Sequence, residues 1–209
     1  MFNNEFISTG NKELDQKLNG GIAKSSLFSL IGEVGSDNTE FMLNVIKHNK
    51  ELNKDFNVLY VDSEDSIKEK NLKELGINNI DILRPNPIKI QLDLIKSSLN
   101  SNIYDLIIID SVNSLFSDTD AHRLSEWVTD DIIPVIDLKN NKTSIVVIEH
   151  ITKLTNPFNL PIAPIQVGKG RSVGYYAHQR VWMKRDEKNE LKYKIIKNRF
   201  GKDELDEVA

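Results

Sequence analysis

The 209-residue chain contains no cysteine, which excludes disulfides and thiolate metal centres and fits a cytoplasmic protein. No apolar run approaches the roughly 20 residues that a membrane-spanning helix needs, so no membrane crossing is expected. The opening residues, MFNNEFISTG, hold no basic stretch followed by an apolar one, which argues against a secretory signal. Neither an internal repeat nor a domain linker is found. A single domain over residues 1–209 is therefore expected, long enough to bury its own core.

Charge is unevenly spread. From Gly168 to Lys202 there are eleven Lys or Arg against three Asp or Glu, a balance of +8, in a chain whose total is −4. The remainder therefore sums to −12, and residues 203–209 read as a solvated acidic tail. Such asymmetry marks an anion-binding face or, more plainly, a pair of exposed lysine-rich strands.

Short β-branched apolar runs recur at SLFSLI (26–31), FNVLYV (56–61), YDLIIID (104–110) and TSIVVIE (143–149). Runs apolar on both faces are the pattern of a covered parallel sheet. Helical periodicity falls between them. One helix begins near Thr39 with Phe41, Val45 and Leu52 on its inner side. A second follows Pro87 and spaces Ile88, Leu92, Ile95 and Leu99 by three and four. A third runs from about His122 to Leu138, with Leu124, Trp127, Val128, Ile132 and Val135 inward and a kink expected at Pro134. Strand alternating with helix predicts an α/β fold with right-handed crossovers. Residues 152–174 show little periodicity and predict a long functional loop. HQRVWMKR and LKYKIIK then read as two antiparallel strands joined by the turn DEKN.

Four motifs end predicted strands, where open α/β sheets bind ligands. The stretch GEVGSDNT (32–39) approaches the phosphate-loop pattern G-x-x-x-x-G-K-[ST], with Asp37 at the second glycine and Asn38 at the lysine. In a working loop the backbone N–H groups and helix N-terminus cradle phosphates, lysine bridges the outer ones, and the hydroxyl holds Mg²⁺. Alone, the stretch reads more readily as a plain strand–turn–helix corner. Asp110, closing YDLIIID, suits an acidic Mg²⁺ partner or simply starts a turn. Glu64 in VLYVDSEDS is placed to orient an attacking water or to cap a helix. His150 in VVIEHITK is placed to sense a terminal phosphate or serves structurally.

With ISTGNKELDQKLNGGI at the start, HITK after the last parallel strand and KNRFG near the end, the series resembles the RecA/RadA superfamily of recombination ATPases over nearly the whole chain. In size it is similar to archaeal RadB, while HITK and KNRFG look most like the bacterial Sms-type RadA repair protein. The resemblance implies a RecA-like α/β core, a mostly parallel sheet flanked by helices with an antiparallel C-terminal strand pair. It also implies ATP and Mg²⁺ as cofactors. Gly32, Gly35, Ser36, Asp37, Asn38 and Thr39 would form the phosphate loop, and Thr39 with Asp110 would hold the metal. Glu64 would polarise water and His150 would report nucleotide state. The loop 152–174 would contact DNA, with Lys153, Lys169 and Arg171 touching phosphates, and Lys197 and Arg199 would be a further basic pair.

The departures set the functional expectation. Asn38 removes the lysine, and Asp37 puts a negative charge where bare backbone should meet phosphate. Two like charges about 4 Å apart repel by about 4 kcal/mol at an effective dielectric near 20. Glu33, Asp37, Glu64 and Asp110 are expected to crowd the pocket without a compensating base. The reading is therefore a non-hydrolysing or weakly ATP-binding accessory factor in recombination or repair. Its expected partners are single-stranded DNA, an active recombinase, or both, and long filaments are not expected. The alternatives are a working DNA-dependent ATPase or ATP-gated switch, and a KaiC-like signalling scaffold without nucleic acid.

Overall fold

The computed structural model describes residues 6–33, 37–84, 87–116, 121–138, 141–151 and 171–201. Gly35, Ser36, Lys153, Lys169 and the acidic tail lie outside these residues, as do the side chains of Glu33 and Arg171.

A short hairpin of β1 (Phe6–Ile7) and β2 (Ile22–Ala23) encloses α1 (Lys12–Lys17). The intervening turn is tied by the Asp15 carboxylate, which accepts from Ser8 Oγ at 2.6 Å, Thr9 N at 2.8 Å and Thr9 Oγ1 at 2.6 Å. The Asn11 side chain caps α1 by accepting from Leu14 N at 3.0 Å. At Gly21, φ is +120° and an added Cβ would sit 2.4 Å from the Ile7 carbonyl oxygen, so this turn requires glycine.

The main sheet has the order β5-β4-β6-β7-β3-β8-β9. Its parallel strands are β3 (Leu27–Glu33), β4 (Val58–Asp62), β5 (Asp81–Leu83), β6 (Leu106–Asp110), β7 (Ser144–Ile151) and β8 (Gln179–Arg185). Only β9 (Leu191–Asn198) runs antiparallel, hairpin-linked to β8. The linking turn is held by Asp186 Oδ1, which accepts from Lys188 N and Glu190 N at 2.9 Å. The expected α/β fold with an antiparallel C-terminal pair is observed.

Helices cover both faces because alternate strand residues are apolar in both directions. On one face Phe28, Leu30, Tyr60, Ile108 and Val146 pack with Met42, Val45 and Ile46 of α2 (Asn38–Leu52) and with Leu14 and Leu18. Near this layer, α3 (Glu69–Leu75) ends at Gly76 in the left-handed conformation. On the other face Leu27, Ile107, Ile109 and Val147 meet Ile95 and Leu99 of α4 (Ile88–Ser101) and Trp127, Val128 and Ile132. Each fully buried side chain of this size contributes about 1.5–3 kcal/mol relative to exposure.

Three local readings need correction. Leu52, the last residue of α2, is 69% exposed and does not continue the inner stripe of Phe41 and Val45. The expected 122–138 helix is interrupted. After a short α5 (Val112–Leu115), α6 (Ala121–Glu126) passes into a π-helical segment at Trp127–Ile132 and then α7 (Ile133–Ile136). Pro134, at the start of α7, lacks the N–H that would continue an α-helical ladder, and the wider turn lies immediately before it. Residues 171–174, read as the end of a loop, instead begin α8 (Arg171–Tyr176). The remainder of that loop lies outside the described residues.

Candidate functional site

The carboxyl ends of β3, β4, β6 and β7 meet at one edge of the sheet and bring Thr39, Glu64, Asp110 and His150 together. Ligand atoms of Glu64, Asp110 and His150 all lie within 4.8 Å of one another. His150 Nε2 sits 3.4 Å from Glu64 Oε1. The same Glu64 oxygen accepts from Ser111 Oγ at 2.6 Å and Ser114 Oγ at 2.8 Å. The contact with His150 holds the Glu64 pKa near 2, below the ordinary carboxylate range, and the two serine hydroxyls add to the effect. Reciprocally, Glu64 raises the pKa of His150 against the opposing effect of burial. Asn113 fixes the histidine's backbone, accepting from His150 N at 2.7 Å and donating to His150 O at 3.1 Å.

Asp110 is 1% exposed. Its Oδ2 accepts from Thr39 Oγ1 at 2.6 Å and from Tyr60 OH at 2.7 Å, whereas Oδ1 is buried with no hydrogen-bond partner among the described residues. Burial raises the Asp110 pKa, against the two hydroxyl donors. Burial and the neighbouring Asp110 push Tyr60 well above its ordinary value, so the phenol stays a neutral donor. The Asp110–Ser111 peptide bond is cis.

At the start of α2, Asp37 takes a left-handed conformation with φ of 58°, standing in for the glycine of the pattern. Its side chain makes no capping bond to the helix. Instead, Asp37 Oδ2 accepts from Arg185 Nε at 2.7 Å and also from Nη2. The expectation of carboxylates without a base therefore fails at Asp37, which Arg185 neutralises, and at Glu64, which faces His150. Asn38, in the lysine position, is 3% exposed, and both its amide atoms lack hydrogen-bond partners among the described residues. It is buried at the start of α2.

Residues 2–126, more than half of the chain, match the family described as the RecA N-terminal domain. The chain belongs to this RecA family. It is 26% identical over 217 residues to Protein RecA of Leptospira meyeri, an alignment covering 92% of this chain and 54% of that one. Protein RecA of Streptomyces venezuelae is 26% identical over 222 residues, covering 94% and 57%. Protein RecA of Malacoplasma penetrans is 30% identical over 128 residues, covering 60% and 38%. The chain thus spans between about a third and three-fifths of the length of these relatives.

In this RecA-family chain Lys197 and Arg199 lie beside the start of β8, at the sheet edge opposite the strand-end cluster. Lys197 Nζ donates to the carbonyl oxygens of Tyr175 at 2.6 Å and Gly174 at 3.3 Å. Arg199 Nη2 reaches Tyr175 O at 3.3 Å. Both cations therefore sit at the carbonyl end of α8, where the helix dipole favours them. Burial, then the nearby Arg199 and Arg180, lower the Lys197 pKa to about 8. Beside them Arg180 donates to the buried Glu149 at 3.3 Å, and Gly174 makes room for it: a Cβ there would lie 2.8 Å from Arg180 Nη1.

Sequence reasoning missed Tyr60, Asn113, Ser114 and Arg185. The pattern DSVNS held a usable signal, since serines three apart in a turn after Asp110 can share one acceptor. Arg185 carried none, because 148 residues separate it from Asp37.

Proposed function

We propose that this chain is a RecA-family accessory factor in DNA recombination or repair that binds DNA, an active recombinase, or both, and hydrolyses ATP weakly or not at all. The observation that carries this is Asn38, a buried amide where the family pattern has a phosphate-binding lysine. The metal half of a nucleotide site fits the residues present: the Thr39 hydroxyl and Asp110 carboxylate lie 2.6 Å apart, and Asp110 Oδ1 is unpaired among the described residues. A bound Mg²⁺ would neutralise phosphate charge there. Thr39 and Asp110 would hold it, and Glu64 would orient water with His150 keeping its carboxylate aligned. The triphosphate half lacks its ammonium group.

DNA contacts are assigned in this reading to Lys153, Lys169, Arg171, Lys197 and Arg199, within the segment of +8 charge from Gly168 to Lys202 and the loop before it. In this reading the chain is akin to RadB-type paralogues, with Sms-like HITK and KNRFG. Titration with Mg·ATP followed calorimetrically tests the nucleotide half, and micromolar binding by the wild-type chain overturns it. Filter binding to single-stranded DNA across a salt series, with capture of the host recombinase, tests the partner half. DNA affinity should fall steeply as salt rises. Binding to neither partner removes the proposal.

A second reading, an ATP-gated switch, is favoured by the intact Glu64–His150 contact at 3.4 Å. The same calorimetry separates the two.

A further inference from the structure

We infer that Glu64, Asp110 and His150 form a nucleotide-independent binding site for a transition-metal dication of the Zn²⁺, Co²⁺ or Mn²⁺ class. The donor set is one imidazole nitrogen and two carboxylates, a mixture that suits these ions better than Mg²⁺, which prefers oxygen and retains its waters.

Geometry supports direct ligation. With bonds of about 2.05 Å, two ligands of a tetrahedral Zn²⁺ stand about 3.4 Å apart. His150 Nε2 and Glu64 Oε1 are 3.4 Å apart. All three ligand atoms lie within 4.8 Å of one another. Glu64 follows the end of β4 with a side chain 34% exposed, so it can move the remaining distance while the buried Asp110 stays fixed.

The second observation is the orphaned oxygen. Thr39 and Tyr60 both donate to Asp110 Oδ2, leaving Oδ1 buried with no partner among the described residues. A buried carboxylate oxygen in that state is costly, and a cation is the partner that its charge favours. Ser111 and Ser114 donate to the same Glu64 Oε1, so the ion would take the place of one of these hydroxyls or bind Oε2 instead, and Asn113 anchors the His150 backbone. His150 Nδ1 is buried and, among the described residues, meets no acceptor that would supply the outer hydrogen bond which commonly tightens such sites.

Metal-stripped protein titrated with Zn²⁺ and Co²⁺ in the absence of nucleotide tests this. One ion per chain is expected, with Kd on the order of 10 µM given the absent outer support and Mg²⁺ weaker by at least about 100-fold. The visible absorption of Co²⁺ should report nitrogen and oxygen ligands. His150→Gln and Glu64→Gln should each weaken binding by more than about 10-fold, with unchanged circular dichroism confirming that both fold. His122 lies 3.3 Å from Glu126 one helical turn away and is the chief competing site, so His122→Ala serves as the control and should leave binding unaltered. The inference is overturned if the wild-type chain binds no Zn²⁺ tighter than about 100 µM, a tenfold shortfall from the affinity expected of such a site. Binding that survives His150→Gln but is lost in His122→Ala also overturns it. Because no nucleotide or DNA is present, either result leaves the accessory-factor proposal to its own tests.

Discussion

Arg185, at the end of β8, donates through Nε and Nη2 to the carboxylate of Asp37, at the opposite end of the sequence pattern that should bind phosphate. The loop's extra negative charge is thereby held by a strand that follows it by 148 residues. Arg185 thus occupies the loop's flank as a counter-ion for Asp37, and a phosphate arriving there competes for the same guanidinium.

Replacing Asp37→Gly together with Asn38→Lys should restore Mg·ATP binding by at least about tenfold, because one repulsion is removed and one attraction added. Isothermal titration of both proteins checks it; equal affinities would show that the loop is not the lesion. Arg185→Ala alone should cost no more than about 1 kcal/mol of stability, as the pair is partly exposed.

Asn38→Leu should stabilise the fold by about 1 kcal/mol, since a buried, unpaired amide carries a desolvation cost of about 1–3 kcal/mol. Urea unfolding should show a higher midpoint with an unchanged slope. A lower midpoint would mean that the amide has a partner in the folded chain.

The Glu64–His150 contact predicts a pH window. Glu64 is depressed to about 2, so its stabilising contribution is present above its unfolded value and disappears as pH falls through the folded one. His150 is raised, so its contribution is complete below its unfolded value of 6.5 and lost as pH climbs through the folded value. The pair is strongest between about pH 4.5 and 6.5. Proton NMR of His150 should show titration above 6.5 in the wild-type chain and a clear downward displacement in Glu64→Gln. No displacement would break the assignment.

Arg180→Met should be the most damaging of these substitutions. Glu149 is 1% exposed, and beyond the Ser29 hydroxyl its charge faces only Arg180 among the described residues. Stranding it should cost about 3–5 kcal/mol in chemical denaturation. Adding Glu149→Gln should recover most of that loss. Without recovery, the arginine acts through packing and not through charge.

The alternation of parallel strands with helices and the strand-end motifs were legible because buried parallel strands are apolar in both directions and end abruptly in Asp110 or near His150. Leu52 was misread since periodicity continues past the point where α2 leaves the core. β1, β2 and β5 are two or three residues long and carry no periodic signal, and α1 and α3 are short enough for their polar residues to dominate. The strand-end cluster could be anticipated residue by residue, but its balance of charge could not. Tyr60 reaches Asp110, and Arg185 reaches Asp37, through folding alone, from positions that look like ordinary strand residues.

The outermost strands carry one more implication. β5, at one margin of the sheet, is three residues long, and β9, at the other, carries Lys192, Lys194 and Lys197. A short margin offers little template for an incoming strand, and a lysine-studded one repels its own kind. Through these margins the chain is poorly suited to stacking into amyloid-like ribbons when concentrated.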